Sequence, residues 1–119
     1  MSTGLVPLVL FVFNRAETVA QVLAAIERQT RRPERLIVFA DGPRNEAERE
    51  KTDVVRALVR GINWTDVSVV GRESNLGCTA NILQGITEVF RSHDRAVILE
   101  DDTLPSASFH EAMCILLDH

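Results

Sequence analysis

The first candidates for chemistry in this 119-residue chain are three consecutive carboxylates, Glu100, Asp101 and Asp102, which directly follow the apolar run Ala96 to Leu99. Like charges at that spacing repel, and ionising all three calls for a compensating cation. Oxygen-only donors suit a hard divalent ion such as Mg²⁺ or Mn²⁺. Such an ion can bridge to a diphosphate and neutralise charge on a leaving group. From the triplet alone, an acidic turn in water, capped by Asp102 or Thr103, reads equally well. Asp41, before Gly42-Pro43, fits either an Asx turn or an acceptor for a base or ribose. Arg15 is either a solvated first-turn residue or a phosphate partner. Asn75-Leu76-Gly77 leads into an apolar-periodic segment. Gly77 allows close backbone approach there, and a helix N-terminus favours an anion, although a plain helix start fits the same residues.

Other chemistries lack their residues. His93, His110 and His119 are scattered, and no pair has metal-ligand spacing on one helix face. There is no Gly-x-Gly-x-x-Gly after the first apolar run, no Gly-Lys-Ser/Thr loop and no Ser-His-Asp arrangement. Cys78 and Cys114 make neither a disulfide framework nor a four-ligand zinc site, and read as two buried thiols in a reducing compartment. A net charge of -4 argues against nucleic acid bound through bulk charge. Lys51 is the sole lysine, so any lysine-dependent mechanism has one candidate.

The acids must be positioned by the elements around them. Leu5 to Phe13 is continuously apolar and short, as a strand buried on both faces reads. Asn14 with Glu17 suggests a capping box for a helix through Val19, Val22, Leu23 and Ile26 that Arg31-Arg32-Pro33 ends. Leu36 to Ala40 is a second strand. Asn45 with Glu48 caps a helix that carries Val54, Val55, Leu58 and Val59 and stops at Gly61, a C-cap position. Val67 to Val70 is a third strand, Ile82 to Phe90 marks a third helix, and Ala96 to Leu99 is a fourth strand. Ser108 with Glu111 starts a last helix through Leu117, and Trp64 packs a helix-to-strand connection. Strict alternation implies an α/β fold: three layers, α/β/α, around a mainly parallel four-stranded sheet with right-handed crossovers. Ligands of such sheets bind at the carboxyl ends of the strands. Asn14, Arg15, Asp41, Asn75, Gly77 and the acidic triplet all fall there, which favours function for the triplet. Residues 1–119 read as a single domain. Met1–Gly4 shows no signal-peptide pattern, and no apolar run approaches the roughly twenty residues of a membrane span. The expected location is the cytoplasm.

Four segments together resemble the nucleotide-sugar-binding half of GT-A-type glycosyltransferases. They are Val9-Leu10-Phe11-Val12-Phe13-Asn14-Arg15, Phe39-Ala40-Asp41-Gly42, Asn75-Leu76-Gly77-Cys78 with Asn81, and Ile98-Leu99-Glu100-Asp101-Asp102. The Glu-Asp-Asp form is similar to that of Golgi N-acetylglucosaminyltransferases and related bacterial sugar transferases. The resemblance implies a Rossmann-like sheet of order 3-2-1-4 and a nucleotide-diphospho-sugar donor, most often a UDP-sugar, with Mn²⁺ or Mg²⁺. It assigns Asp41 to the base. It sets Asn14 and Arg15 near the nucleotide or diphosphate, and Asn75 and Gly77 in the loop closing over it. Glu100 and Asp101 would hold ribose and sugar hydroxyls, and Asp102 would hold the metal at this counterpart of the Asp-x-Asp element. It also implies an N-terminal part of a longer enzyme, with acceptor site and catalytic base beyond residue 119. The competing readings are a non-catalytic nucleotide-binding module and a nucleotidyltransferase of similar fold, which would want a basic glycine-rich loop where Phe13-Asn14-Arg15-Ala16 stands. A phosphoacceptor receiver domain would need an acidic pair after the first strand. The family's strand order leaves the fourth strand at an edge without proline or lysine, so self-association through that strand or the last helix is expected.

Overall fold

The structure is a computed structural model that describes residues 5–118; Met1–Gly4, on which the signal-peptide expectation falls, and His119 lie outside the described residues. Strands and helices alternate as the hydrophobic pattern requires: β1 (Leu8–Val12), α1 (Ala16–Glu27), β2 (Arg35–Ala40), α2 (Glu46–Arg60), β3 (Asp66–Gly71), α3 (Cys78–Val89), β4 (Val97–Glu100) and α4 (Phe109–Leu117). The four strands form one sheet of order β3-β2-β1-β4, with every neighbouring pair parallel. Fold class and strand order are those expected. No helix among the described residues is long and apolar enough to cross a membrane.

Why β1 and β2 read as unbroken apolar runs is plain from their packing. On one face Leu8, Leu10, Val12, Leu36, Val38, Val97 and Leu99 meet Val19, Val22, Leu23 and Ile26 of α1, Val55 and Val59 of α2 and Cys114 of α4. On the other face Val9, Phe11, Ile37 and Phe39 meet Val89 of α3, with Ile82 and Ile86 against them. Each such side chain contributes about 1.5–3 kcal/mol when fully buried. The layers are therefore unequal, with three helices on one face and α3 alone on the other. Phe11 and Phe39 stack with ring centroids 5.3 Å apart. Gly85 leaves room for them, since a Cβ there would sit 2.6 Å from Phe11 Cε1.

Two expected caps are different in the structure. The N-cap of α1 is Arg15, without a side-chain cap bond, because the Asn14 amide donates instead to Glu48 Oε2 at 3.0 Å. Ser108 is the N-cap of α4 but makes no cap bond; Glu111 accepts the Thr30 hydroxyl at 2.8 Å and ties α4 to the end of α1. Asn45 caps α2 as expected, its side chain accepting from the Glu48 N–H at 3.1 Å. Gly61 is the C-cap of α2 but with φ of -81°, a conformation open to any residue.

β4 pairs only with β1 and is the sheet edge. Its Ile98 is 38% exposed, and Ile115 and Leu116 of α4 are exposed too. Apart from Glu100 at its end, this edge is uncharged, and an edge of this kind invites pairing with another chain. Light scattering across a concentration series should show the apparent mass rising, and Ile98→Lys should suppress the rise. A mass that stays that of one chain up to millimolar concentration would contradict it.

Candidate functional site

Parallel strands end together, and α3 begins where β1, β2 and β4 end. The two-residue period of a strand puts Val9 and Phe11, Ile37 and Phe39, and Ile98 and Glu100 on the α3 side, and Phe13 and Asp41 continue that alternation past the strand ends. Between these ends and the first turn of α3 lies a cleft of about 310 Å³, at the lower end of the size range for small-molecule sites. Its walls include Phe13, Asp41, Arg44, Asn75, Gly77, Cys78, Asn81, Glu100 and Asp101. Five of the residues picked out in the sequence are thus brought together: Asp41, Asn75, Gly77, Glu100 and Asp101. Asn14, Arg15 and Asp102 do not line it.

Asp41 is buried, 4% exposed. A buried carboxylate is costly unless it is hydrogen-bonded, and this one accepts four bonds. Oδ1 takes the N–H groups of Gly42 at 2.8 Å and Leu76 at 2.9 Å. Oδ2 takes the Gly77 N–H and the Asn75 amide, both at 3.2 Å. Asn75 also donates to the Gly42 carbonyl at 2.9 Å. The Asx turn considered for Asp41 does not form, because the residue two positions on is Pro43, which has no N–H; the carboxylate takes the adjacent Gly42 N–H instead and clamps the loop that leads into α3. The pinned loop has strict local needs. A Cβ on Gly42 would lie 2.5 Å from the Ser74 carbonyl carbon, so the two backbones can approach only at a glycine. Gly77 has φ of +88° and open space where its Cβ would be, so glycine is required there for its dihedral.

The acidic end differs residue by residue. Glu100 is the last residue of β4, in register with Phe11, and is exposed. Asp101 is half-buried. Burial pushes its carboxyl above the usual range, Arg15 pulls it back, and Asp102 raises it again. Arg15, an exposed residue, is thus within electrostatic reach of Asp101 but is not part of the cleft wall. Asp102 is exposed. Among the described residues, no three His, Cys, Asp or Glu side chains converge as a metal site.

Sequence reasoning missed a second network. Glu48, read only as a capping partner, is 8% exposed. Its carboxylate accepts from the Asn14 amide, from the Arg44 N–H at 3.0 Å and Nε at 2.9 Å, and from Arg44 Nη2 at 2.5 Å. These bonds, the Arg44 side chain foremost, hold the Glu48 carboxyl down at about 2. The Arg44 guanidinium lies 5.5 Å from the centroid of the Phe13 ring. On the far side of the Asn75 loop, Arg56 donates to the carbonyls of Arg72 and Asp41. Arg72 lies over Phe39 at 5.3 Å and donates to Asn81 Oδ1 at 3.2 Å. Arg44 could have been flagged by its place after the Gly42-Pro43 turn; nothing local marks Arg56 or Arg72, whose partners are distant in sequence.

Cys78 also departs from expectation. Cys114 is buried, but Cys78 is exposed at the first position of α3, with its thiol 3.9 Å from Glu100 Oε1. The strand alternation that aims Glu100 at α3 brings the two together.

No model of a known protein family matches the sequence, and a search of curated proteins finds no match. Among solved structures, the chain is similar to S. aureus TarS, a glycosyltransferase, with a TM-score of 0.69. The likeness covers 96% of this chain and 19% of TarS at 11% identity. The chain thus shares the fold of one part of TarS, a span that is a small fraction of that protein's length.

The cleft thiol gives a direct check on these electrostatics. Desolvation first, then the charges of Glu100 and Asp101, push the Cys78 thiol up, so at pH 8 less of it is the reactive thiolate than in an ordinary cysteine. Iodoacetamide should label Cys78 more slowly than free cysteine, and Glu100→Gln should speed labelling severalfold by removing one of those charges. An unchanged rate in Glu100→Gln would contradict the contact.

Proposed function

We propose that this chain is the nucleotide-sugar-binding part of a metal-dependent sugar transferase, whose acceptor site and catalytic base lie outside these residues. The observation that carries the reading is the convergence of Asp41, Asn75, Gly77, Glu100 and Asp101 on one cleft at the carboxyl edge of the sheet, on a fold shared with a glycosyltransferase.

In this reading the cleft has two ends. At one, Asp41 receives the N–H of the base through Oδ2, whose two protein bonds are longer than those of Oδ1. Asn75 and Gly77 close over the nucleoside. At the other, Glu100 and Asp101 accept from ribose and sugar hydroxyls. Arg15, within electrostatic reach of Asp101, faces the charge of the diphosphate.

The donor set can be tested against a metal on its own chemistry. No described cage of three side chains exists, so a tightly held resident ion does not fit. A hard ion bound through one or two carboxylates and the phosphates of a ligand does fit, and Asp101 and Asp102 supply such oxygens beside each other. Asp102, exposed at the end of the triplet, would be the direct ligand, with Mn²⁺ or Mg²⁺ as the ion. When bound, the ion would neutralise charge on the diphosphate leaving group. The chain's own contribution is to hold the base and sugar at fixed ends of the cleft.

Calorimetry of UDP with and without Mn²⁺ tests this. Affinity should rise at least about tenfold with the metal, a difference of about 1.4 kcal/mol, and Asp102→Asn should weaken metal-dependent binding more than Glu100→Gln does. Equal affinity with and without Mn²⁺ would remove the metal from the account. Indistinguishable mutants would remove Asp102 as its ligand.

A further inference from the structure

Arg44 is the only basic residue among those lining the cleft, and its orientation is fixed. Glu48 accepts from Nε and from one N–H of Nη2, a fork that locks the guanidinium plane. Phe13 supports its face. A guanidinium has five N–H donors. The opposite edge, both N–H groups of Nη1 and the second of Nη2, has no hydrogen-bond acceptor among the described residues. Glu48 itself is buried and held by the Asn14 amide, so the fork is tied to the end of β1 as well as to the turn after β2. A planar edge of donors on an immobilised cation matches the geometry of phosphate oxygens. The remaining charged groups of the cleft wall, Asp41, Glu100 and Asp101, are acidic and cannot play this part.

We propose that Arg44 binds the diphosphate of the nucleotide through this free edge, and that Glu48 is its positioning residue. The inference rests on the reading of the cleft as a nucleotide-sugar site and adds a phosphate-binding cation to it. Glu48 acts only through Arg44: its carboxylate faces the guanidinium and the Asn14 amide, and it is not among the cleft-lining residues.

The test is calorimetry on the full chain in Mn²⁺ with UDP, pyrophosphate and uridine as probes, comparing wild type, Arg44→Gln, Glu48→Gln and the double variant, each first checked for an intact thermal transition. Arg44→Gln should weaken UDP and pyrophosphate about tenfold or more, the loss expected for one charge-assisted hydrogen bond, and leave uridine unchanged. Glu48→Gln should show a smaller loss of the same pattern, and the double variant should be no weaker than Arg44→Gln alone. Glu48→Asp, which keeps the charge and shortens the reach, takes the place of Glu48→Gln if that variant fails to fold. If wild type binds UDP and Arg44→Gln binds it as tightly, the proposal is overturned while the nucleotide site stands. Equal weakening of uridine overturns the phosphate contact, and full additivity in the double variant overturns positioning by Glu48. If wild type binds none of the probes, the nucleotide-sugar reading itself falls, and this inference with it.

Discussion

Four hydrogen bonds into one buried carboxylate hold the cleft open. Asp41 sits just past β2, and its two oxygens collect three backbone N–H groups and one side-chain amide from its own turn and from the loop before α3. Remove the carboxylate and those N–H groups lose their acceptor in a buried place, at about 1–3 kcal/mol for each left unsatisfied. Arg56 braces the same loop from the other side through the Asp41 and Arg72 carbonyls. Gly42 lets the two segments touch, and Gly77 turns the chain into α3. The position of the first turn of α3, and so one whole wall of the cleft, follows from this joint.

The sheet supplies the rest. Its order puts β1 between β2 and β4, so Asp41 after β2 and the triplet at the end of β4 flank the end of the central strand. Three helices pack on one face and α3 alone on the other, and the cleft lies on the α3 face at the strand ends. Strand alternation then decides which acids reach that space: Asp41 and Glu100 fall on the α3 side with Phe11, Phe13 and Phe39. Asp101 lies among the cleft-lining residues, half-buried and balanced between Asp102 and Arg15.

Much of this was legible in the sequence, because hydrophobic period and strand-end punctuation are local signals. The alternation of eight elements, the strand-end placing of Asp41 and of Glu100 to Asp102, the Asn45 cap and the loop at Asn75 to Gly77 all follow from such signals. What was not legible depends on contacts between distant residues. Asn14 has the right type and spacing for a cap, but Glu48, 34 residues away, offers its amide a buried charged acceptor. Ser108 and Glu111 fit a capping box, yet Glu111 turns to Thr30 across the α1–α4 junction. Cys78 looked like core because free cysteines usually are, and only the placing of α3 against β4 exposes it. Arg56 and Arg72 carry no local mark that separates them from the other arginines, and Arg44 has only its place after the Gly42-Pro43 turn.

The central claim is that Asp41 holds the Asn75 loop and thereby forms the cleft. Amide hydrogen exchange at Leu76 and Gly77, read residue by residue in wild type and in Asp41→Asn, tests it most directly. Both N–H groups donate to Asp41, so both should exchange slowly in wild type. Both should speed up by at least about tenfold in the variant, as an opening costing about 1.4 kcal/mol less implies, while amides in β1 and β2 keep their protection. Fast exchange at Leu76 and Gly77 in wild type, or rates unmoved by Asp41→Asn, would contradict the account.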